Sequence, residues 1–203
     1  MQFNRDLLFP TTIHYYDNVL EDKQLNNIIE FLEKQGKEKI KLNETWQSSP
    51  DIYNHVKFKT LVKKIMNVSK NYLDEMNWVY SNYEITDMWA NVNPPNNFHR
   101  PHMHSNNVLS GVFYLKSDQN ANIVFADPRP QAHIIEPEIT NWQLNNSQNW
   151  YYISTVNRLI LFPSYLSHHV PVNKSNQNRI SISFNIMLKG KVGSSSELQS
   201  GNF

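Results

Sequence analysis

Cysteine is absent from the 203-residue chain, which removes disulfides, thiolate zinc sites and cysteine nucleophiles together and leaves the redox compartment open. Any metal must be held by nitrogen or oxygen. Glycine is scarce, with 5 residues, while asparagine is used heavily, a bias that fits an AT-rich genome. An excess of one charge is missing too. The 19 Lys and Arg nearly balance the 18 Asp and Glu, and the only tight basic patch is KGK at Lys189 to Lys191, so the electrostatic footprint of a nucleic-acid binder is not there. Nowhere do about 18 uncharged apolar residues run together, and the opening MQFNRDLLFPTTIHYYDNVLEDK has no basic region followed by a sustained apolar core. The expectation is a soluble, cytoplasmic protein with neither nucleic acid nor membrane as partner.

What is present suits one domain with a sizeable core, read as residues 1–190, with a helical annex over about 17–77 and a flexible tail at 191–203 that lacks an apolar face. LLFPTTIHYY (Leu7 to Tyr16) is apolar enough for a strand, though Pro10 confines it to an edge or a strand start. As an edge it could pair across a homodimer. EDKQLNNIIEFLEKQGKEK places Leu25, Ile28, Ile29 and Leu32 on one helix face, with Gly36 closing the helix. A second stripe joins Phe58, Leu61, Val62, Ile65, Val68, Tyr72 and Leu73. From Tyr80 short β-branched and aromatic runs alternate with turn residues, predicting strands near 82–93, 107–116, 122–125, 131–136, 150–155, 158–162, 167–172 and 178–188. Strands after two helices point to a mainly β (α+β) sandwich, jelly roll or barrel with helices on one face. The long connection Pro128 to Trp150 is expected to shape a pocket entrance, and the five tryptophans, Trp89, Trp142 and Trp150 among them, to pack in the core or at its rim.

NNFHRPHMHSNNVLSGVFYLK (Asn96 to Lys116) crowds His99, His102 and His104 together before an apolar run. Neighbouring imidazoles repel once either is protonated, so the crowding needs a reason. His102 and His104 are two apart, and on an extended segment both rings point the same way, where they can share one metal ion. The plain alternative is a polar loop that happens to hold histidines. A third ligand would come from His168 or His169, which end the strand-like run RLILFPSYLSHH. Three ligands on one face of a metal would leave the opposite face open, as in facial-triad iron sites.

In RISISFNIM, Arg179, Ser181, Ser183 and Asn185 fall on one face of a strand and Ile180, Ile182, Phe184 and Ile186 on the other. The polar face either looks out at solvent or lines a cavity, where guanidinium and hydroxyl together grip a carboxylate. If the apolar face packs on the helices, the polar face lines the cavity.

These stretches make the sequence resemble the non-haem iron, 2-oxoglutarate-dependent oxygenases, prolyl-hydroxylase-like, and in particular a branch found in marine bacteria and phages. The similarity rests on LFPTTI followed by a helix, SGVFYL after the His-x-His, FADPRP, FPSYLSHHVPV and RISISFNI. By that resemblance the fold is a double-stranded β-helix (jelly roll) with N-terminal helices packed on its outer face. It implies His102, His104 and His168 as ligands of Fe(II), with His169 turned the other way. Arg179 and Ser181 would hold the far carboxylate of 2-oxoglutarate. The implied reaction hydroxylates an unactivated C–H bond of a small-molecule or peptide substrate in a bacterial or phage-infected cell, with no catalytic side chain beyond the metal ligands.

Tyr114 shares the parity of the two histidines and would either reach the cosubstrate or simply fill the core. Asn91 and Asn93 in WANVNPPN would line the same mouth, or only mark the turn before Pro-Pro. His99, three residues from His102, faces differently and reads as a support or substrate-side group, or as a solvated loop histidine. One departure matters: the usual family triad has Asp or Glu where this chain has His104, and no acid lies within ten residues of either histidine. With three neutral ligands ferrous iron keeps its full +2. Two rivals follow, a three-histidine cupin-type iron dioxygenase that does not use 2-oxoglutarate, and a non-catalytic jelly-roll binding module.

Overall fold

The change from helical to alternating periodicity near residue 77 is where helices give way to sheets. In the computed structural model, which describes residues 1–37, 44–120, 122–194, 196 and 198–203, strand β1 (His14–Tyr16) and helix α1 (Asp22–Lys37) come first. They lead to β2 (Trp46–Gln47), two short 3-10 turns (Ile52–Asn54 and Val56–Phe58) and α2 (Lys59–Glu75). The strands β3 (Asn82–Asn93), β4 (His99–His102), β5 (Leu109–Lys116), β6 (Ile123–Ala126), β7 (Asn149–Tyr152), β8 (Leu159–Pro163), β9 (His168–Val170) and β10 (Arg179–Lys189) follow. No described helix is long and apolar enough to cross a membrane.

The large antiparallel sheet has the order β1-β8-β5-β10-β3-β2, and a second sheet the order β4-β9-β6-β7. Alternation assigns each residue of the central strands to one of two burial zones. On one face of the large sheet, Ile180, Ile182, Phe184 and Ile186 of β10 join Leu109, Phe113 and Leu115 of β5 and Met88, Ala90 and Val92 of β3. That face packs on Leu25, Ile28 and Leu32 of α1 and on Leu61, Ile65, Tyr72 and Leu73 of α2. On the other face Val112, Tyr114, Ile160 and Phe162 meet Ile123 and Phe125 of the small sheet, with the Phe125 and Phe162 rings 4.9 Å apart. Both faces being covered explains why β5 and β8 are apolar almost throughout. The arrangement is the jelly roll with outer helices that the resemblance implied.

Four sequence expectations change. The predicted strand at 131–136 is instead a 3-10 turn, Pro130–His133, followed by irregular chain, with Ile134 and Ile135 about four-fifths exposed. Ala126 pairs with Asn149, so β6 takes β7 as its partner across the intervening chain, whose prolines remove ladder donors. Of Leu7 to Tyr16 only His14–Tyr16 pairs, against β8, since Phe9 sits at φ 58 just before Pro10. The first helix runs through Gly36, which was expected to close it, to Lys37. The stretch read as a flexible tail forms a hairpin, β11 (Lys191–Ser194) with β12 (Gln199–Asn202). A ladder of main-chain hydrogen bonds needs no apolar face, and Gly193 supplies the positive φ of 84 that other residues rarely adopt.

Gly111 is the point where β5 lets the large sheet close on the helix side. A Cβ there would meet the end of the Phe184 ring and would lie 2.8 Å from the Ile160 carbonyl oxygen. Gly111→Ala should therefore destabilise by about 1–3 kcal/mol, read as a lowered midpoint of thermal unfolding. An unchanged midpoint would show that β5 and β10 can part without cost.

Candidate metal centre

The chain enters and leaves the histidine segment through asparagines in left-handed conformation, Asn96 at φ 67 and Asn106 at φ 62, a geometry asparagine tolerates better than most residues. Between them β4 carries His102 directly opposite His168 of β9, and the extended chain beyond β4 brings His104 alongside. The ring centroids stand 4.3 Å apart for His102 and His168 and 5.2 Å for the other two pairs. One ring nitrogen from each histidine lies within 4.8 Å of the other two, and among the described residues no other cluster of three such side chains is placed to share a cation.

Each ring is turned by a carbonyl oxygen. His102 Nδ1 is 2.8 Å from the Arg100 main-chain oxygen, His168 Nδ1 is 2.9 Å from that of Leu166, and His104 Nδ1 is 2.5 Å from Asn185 Oδ1. A carbonyl oxygen only accepts, so each Nδ1 carries the proton and each Nε2 keeps its lone pair. Burial is the main cause holding His168 down to about 3, against a smaller upward pull from its bond to Leu166. His104 is also lowered, mainly by burial, with its bond to Asn185 opposing, His102 adding to the fall and Asp87 pulling back. Neutral rings do not repel, and burial holding His104 and His168 neutral eases the crowding seen in the sequence. Three neutral Nε2 donors suit a borderline divalent metal such as iron, cobalt, nickel or zinc.

At the other end of the same cavity, of about 80 Å³, Arg179 is 5 % exposed and burial lowers its pKa. Its guanidinium donates to Asn93 Oδ1 at 3.3 Å and stands 5.9 Å from the centre of the Tyr114 ring. Tyr114 Oη and Ser181 Oγ, both buried, have no hydrogen-bond partner, and burial pushes Tyr114 up to about 12. Two orphaned hydroxyls beside a buried cation form a place where an anion would be stabilised, because each unmet donor costs roughly 1–3 kcal/mol.

The structure thus brings together His102, His104, His168, Arg179, Ser181, Tyr114, Asn91 and His99 around one cavity, with Asn93 bonded to its edge. His99 stands outside the three-histidine group. A register shift in β4 turns it into the cavity, where its Nε2 accepts from Asn93 Nδ2 at 2.6 Å and burial, with Arg179 and His102 adding, lowers it to about 4. His169 is not among the lining residues, as its place next to His168 on a strand requires. Asn91 and Asn93 do more than mark a turn: Asn91 bridges Gln47 and Ser183 at 2.8 and 3.0 Å. Sequence reasoning placed Asn185 on the polar face of Arg179 without a role of its own, gave none to Ser110, Ser164, Gln47 or Thr45, and treated Trp89 only as packing. Ser110 shares the parity of Tyr114, so it was findable; Trp89, whose ring lies 5.8 Å from that of His104, shares the parity of Asn91. Ser164, Gln47 and Thr45 carried no such signal.

A family model described as "Putative 2OG-Fe(II) oxygenase" matches residues 87–185, the stretch holding all of these cavity residues except Gln47. No curated protein matches the chain. Among solved structures it is similar to the non-heme alpha ketoglutarate dependent epimerase SnoN from nogalamycin biosynthesis, at 10 % identity and TM-score 0.65, covering 91 % of this chain and 80 % of that one. A Pseudomonas putida prolyl-4-hydroxylase is similar at 10 % identity and TM-score 0.64, over 89 % and 94 % of the two chains. HygX from Streptomyces hygroscopicus with nickel and 2-oxoglutarate bound is similar at 10 % identity and TM-score 0.61, over 87 % and 83 %.

An unfolded chain protonates its histidines near pH 6.5, whereas folded His99 and His168 resist until about 4 and about 3. Between those limits the unfolded state binds more protons, so the metal-free protein should lose stability as pH falls from 6.5 toward 4. Thermal melts followed by circular dichroism across that window check this, and His99→Gln should flatten the slope. A midpoint that rises on acidification would contradict the neutral assignment.

Proposed function

We propose, on the premise of the 2OG-Fe(II) oxygenase match over residues 87–185, that the chain is an Fe(II)- and 2-oxoglutarate-dependent dioxygenase that hydroxylates an unactivated C–H bond. The observation that carries the reading is the pairing, within one small cavity, of three convergent imidazole nitrogens with a buried Arg179 flanked by two orphaned hydroxyls. Neither half alone would specify this cofactor pair.

The residues fit both groups. His102, His104 and His168 would hold the iron, and Arg179, with Ser181 and Tyr114, would take the far carboxylate of 2-oxoglutarate by charge-assisted hydrogen bonds. Bound together, iron and cosubstrate supply the oxygen-activating chemistry of the reaction. The chain's own part is orientation and exclusion of water. Main-chain oxygens of Arg100 and Leu166 and the amide of Asn185 fix the three rings, while Phe162, Val112 and Ile123 close the apolar side of the cavity. Tyr114 stays protonated at neutral pH, so its hydroxyl is a donor to an anion and not a competing charge.

His104 stands where the family usually has a carboxylate. Three neutral ligands leave ferrous iron its full +2, which strengthens attraction for a dianionic cosubstrate at short range in a dry site. The same all-imidazole set would suit a three-histidine dioxygenase that does not use 2-oxoglutarate. The orphaned hydroxyls at Arg179 favour the first reading, because an apolar substrate would leave them unpaired.

Adding Fe(II) and then 2-oxoglutarate without air should give a weak charge-transfer band in the green, which requires the cosubstrate to chelate the metal. Iron uptake with no response to 2-oxoglutarate would favour the alternative. Arg179→Ala should weaken 2-oxoglutarate binding by at least tenfold while sparing iron, whereas His102→Ala should abolish iron binding. The reverse pattern would show that the two ends of the cavity are assigned the wrong way round.

A further inference from the structure

Two of the three histidines take their orientation from main-chain oxygens two residues back in their own segments, Arg100 for His102 and Leu166 for His168. His104 does not. Its Nδ1 meets the side-chain Oδ1 of Asn185 on a different strand. We propose that Asn185 is the positioning residue of the metal centre: it selects the His104 tautomer whose Nε2 lone pair faces the cation, and Ser110 with Ser164 keeps its amide from turning over. The proposal rests on reading the three histidines as iron ligands.

The bonds form a closed ring. Ser110 Oγ donates to Asn185 Oδ1 at 2.8 Å, Ser110 and Ser164 hydroxyls are 2.8 Å apart, and the main-chain N–H of His104 donates to the Ser164 carbonyl at 3.0 Å. With the Ser110 proton directed at Asn185, Ser164 must be the donor to Ser110. All directions in the ring are then determined.

An asparagine can present either oxygen or NH2 to a neighbour. If the amide turned over, His104 would face a donor and could be accommodated only by giving up the proton on Nδ1. That proton would move to Nε2, and the ligand would be lost. The reversal would also require Ser110 to donate to Ser164, leaving the proton of Ser164, a fully buried residue, without its present acceptor. Ser110 and Ser164 thus oppose the flip from β5 and from the turn after β8. Asn185 itself is 6 % exposed, so water offers little competition. The same ring explains how a histidine can serve in a position where a carboxylate, which needs no tautomer, is usual in the family.

The test uses the full chain with Co(II) as probe and, separately, the metal-free protein. Long-range proton–nitrogen NMR spectra of the metal-free wild type should show His104 protonated on Nδ1. In Asn185→Ala that preference should be lost at His104 alone, with His102 and His168 unchanged. Co(II) affinity should fall about 10–100-fold, the usual effect of removing an outer partner of a metal-bound histidine. Asn185→Asp keeps an acceptor oxygen and should restore affinity to near wild type. Ser110→Ala, a milder change that guards against misfolding of the first variant, should cost several-fold. Wild-type tautomer and affinity in Asn185→Ala, or an Asn185→Asp protein as weak as the alanine variant, would overturn the proposal. Failure of the wild type to bind Co(II) would overturn the metal reading instead, and the metal-free tautomer would still decide what Asn185 does to His104.

Discussion

Three imidazoles can share a cavity wall only while all are neutral and all are turned the same way, and that constraint accounts for most of what surrounds them. Neutrality comes from burial, which lowers His104 and His168 against the smaller upward pull of their hydrogen bonds. Orientation comes from three carbonyl oxygens, each accepting one Nδ1 proton. Both need a dry, rigid frame. The frame is the pair of facing sheets, with the Phe125 and Phe162 rings standing within 6 Å of that of His168.

β10 couples stability to site. Its apolar residues lie in the core against both helices, and of its alternate residues Arg179, Ser181 and Ser183 line the cavity while Asn185 bonds to the ring of His104. Because β10 is hydrogen-bonded on both sides, to β3 and to β5, it cannot rotate to trade one face for the other. A buried guanidinium is costly to maintain, and a central strand locked on both edges is a place where a fold can hold one. The neighbours in register extend the pattern: Asn91 stands opposite Ser181 on one side and Tyr114 on the other. Cavity chemistry is thereby written in single residues spaced two apart on three adjacent strands.

Much of this was legible beforehand because alternation is local. The spacing of His102 and His104, the two faces of Arg179 to Ile186, and the helical stripes through Leu25 and Leu61 each depend only on residues close in sequence. The misreadings are those where local composition was not decisive. QAHIIE has the apolar content of a strand, yet β6 pairs with β7 beyond it. KVGSSSELQSGN has no apolar face, yet its main chain pairs with itself. His99 is three residues from His102, and on a regular strand the two would point apart. A shift in register, which no spacing announces, brings both into the cavity.

The sequence by itself determined that nitrogen and oxygen must serve as ligands, that two histidines share a side of one segment, and that arginine, serine and asparagine share a face of another. The turning of His102 and His168 is close to this class, since each meets a main-chain oxygen only two residues away. Tertiary structure decided which distant strand lies beside which. Pairing of β4 with β9 sets His168 opposite His102, and pairing of β10 with β5 carries Asn185 and Ser110 to His104. The physical reason is that side-chain direction along a strand follows from backbone geometry within a few residues, while strand neighbours are chosen by burial summed over the whole core, which no short stretch contains.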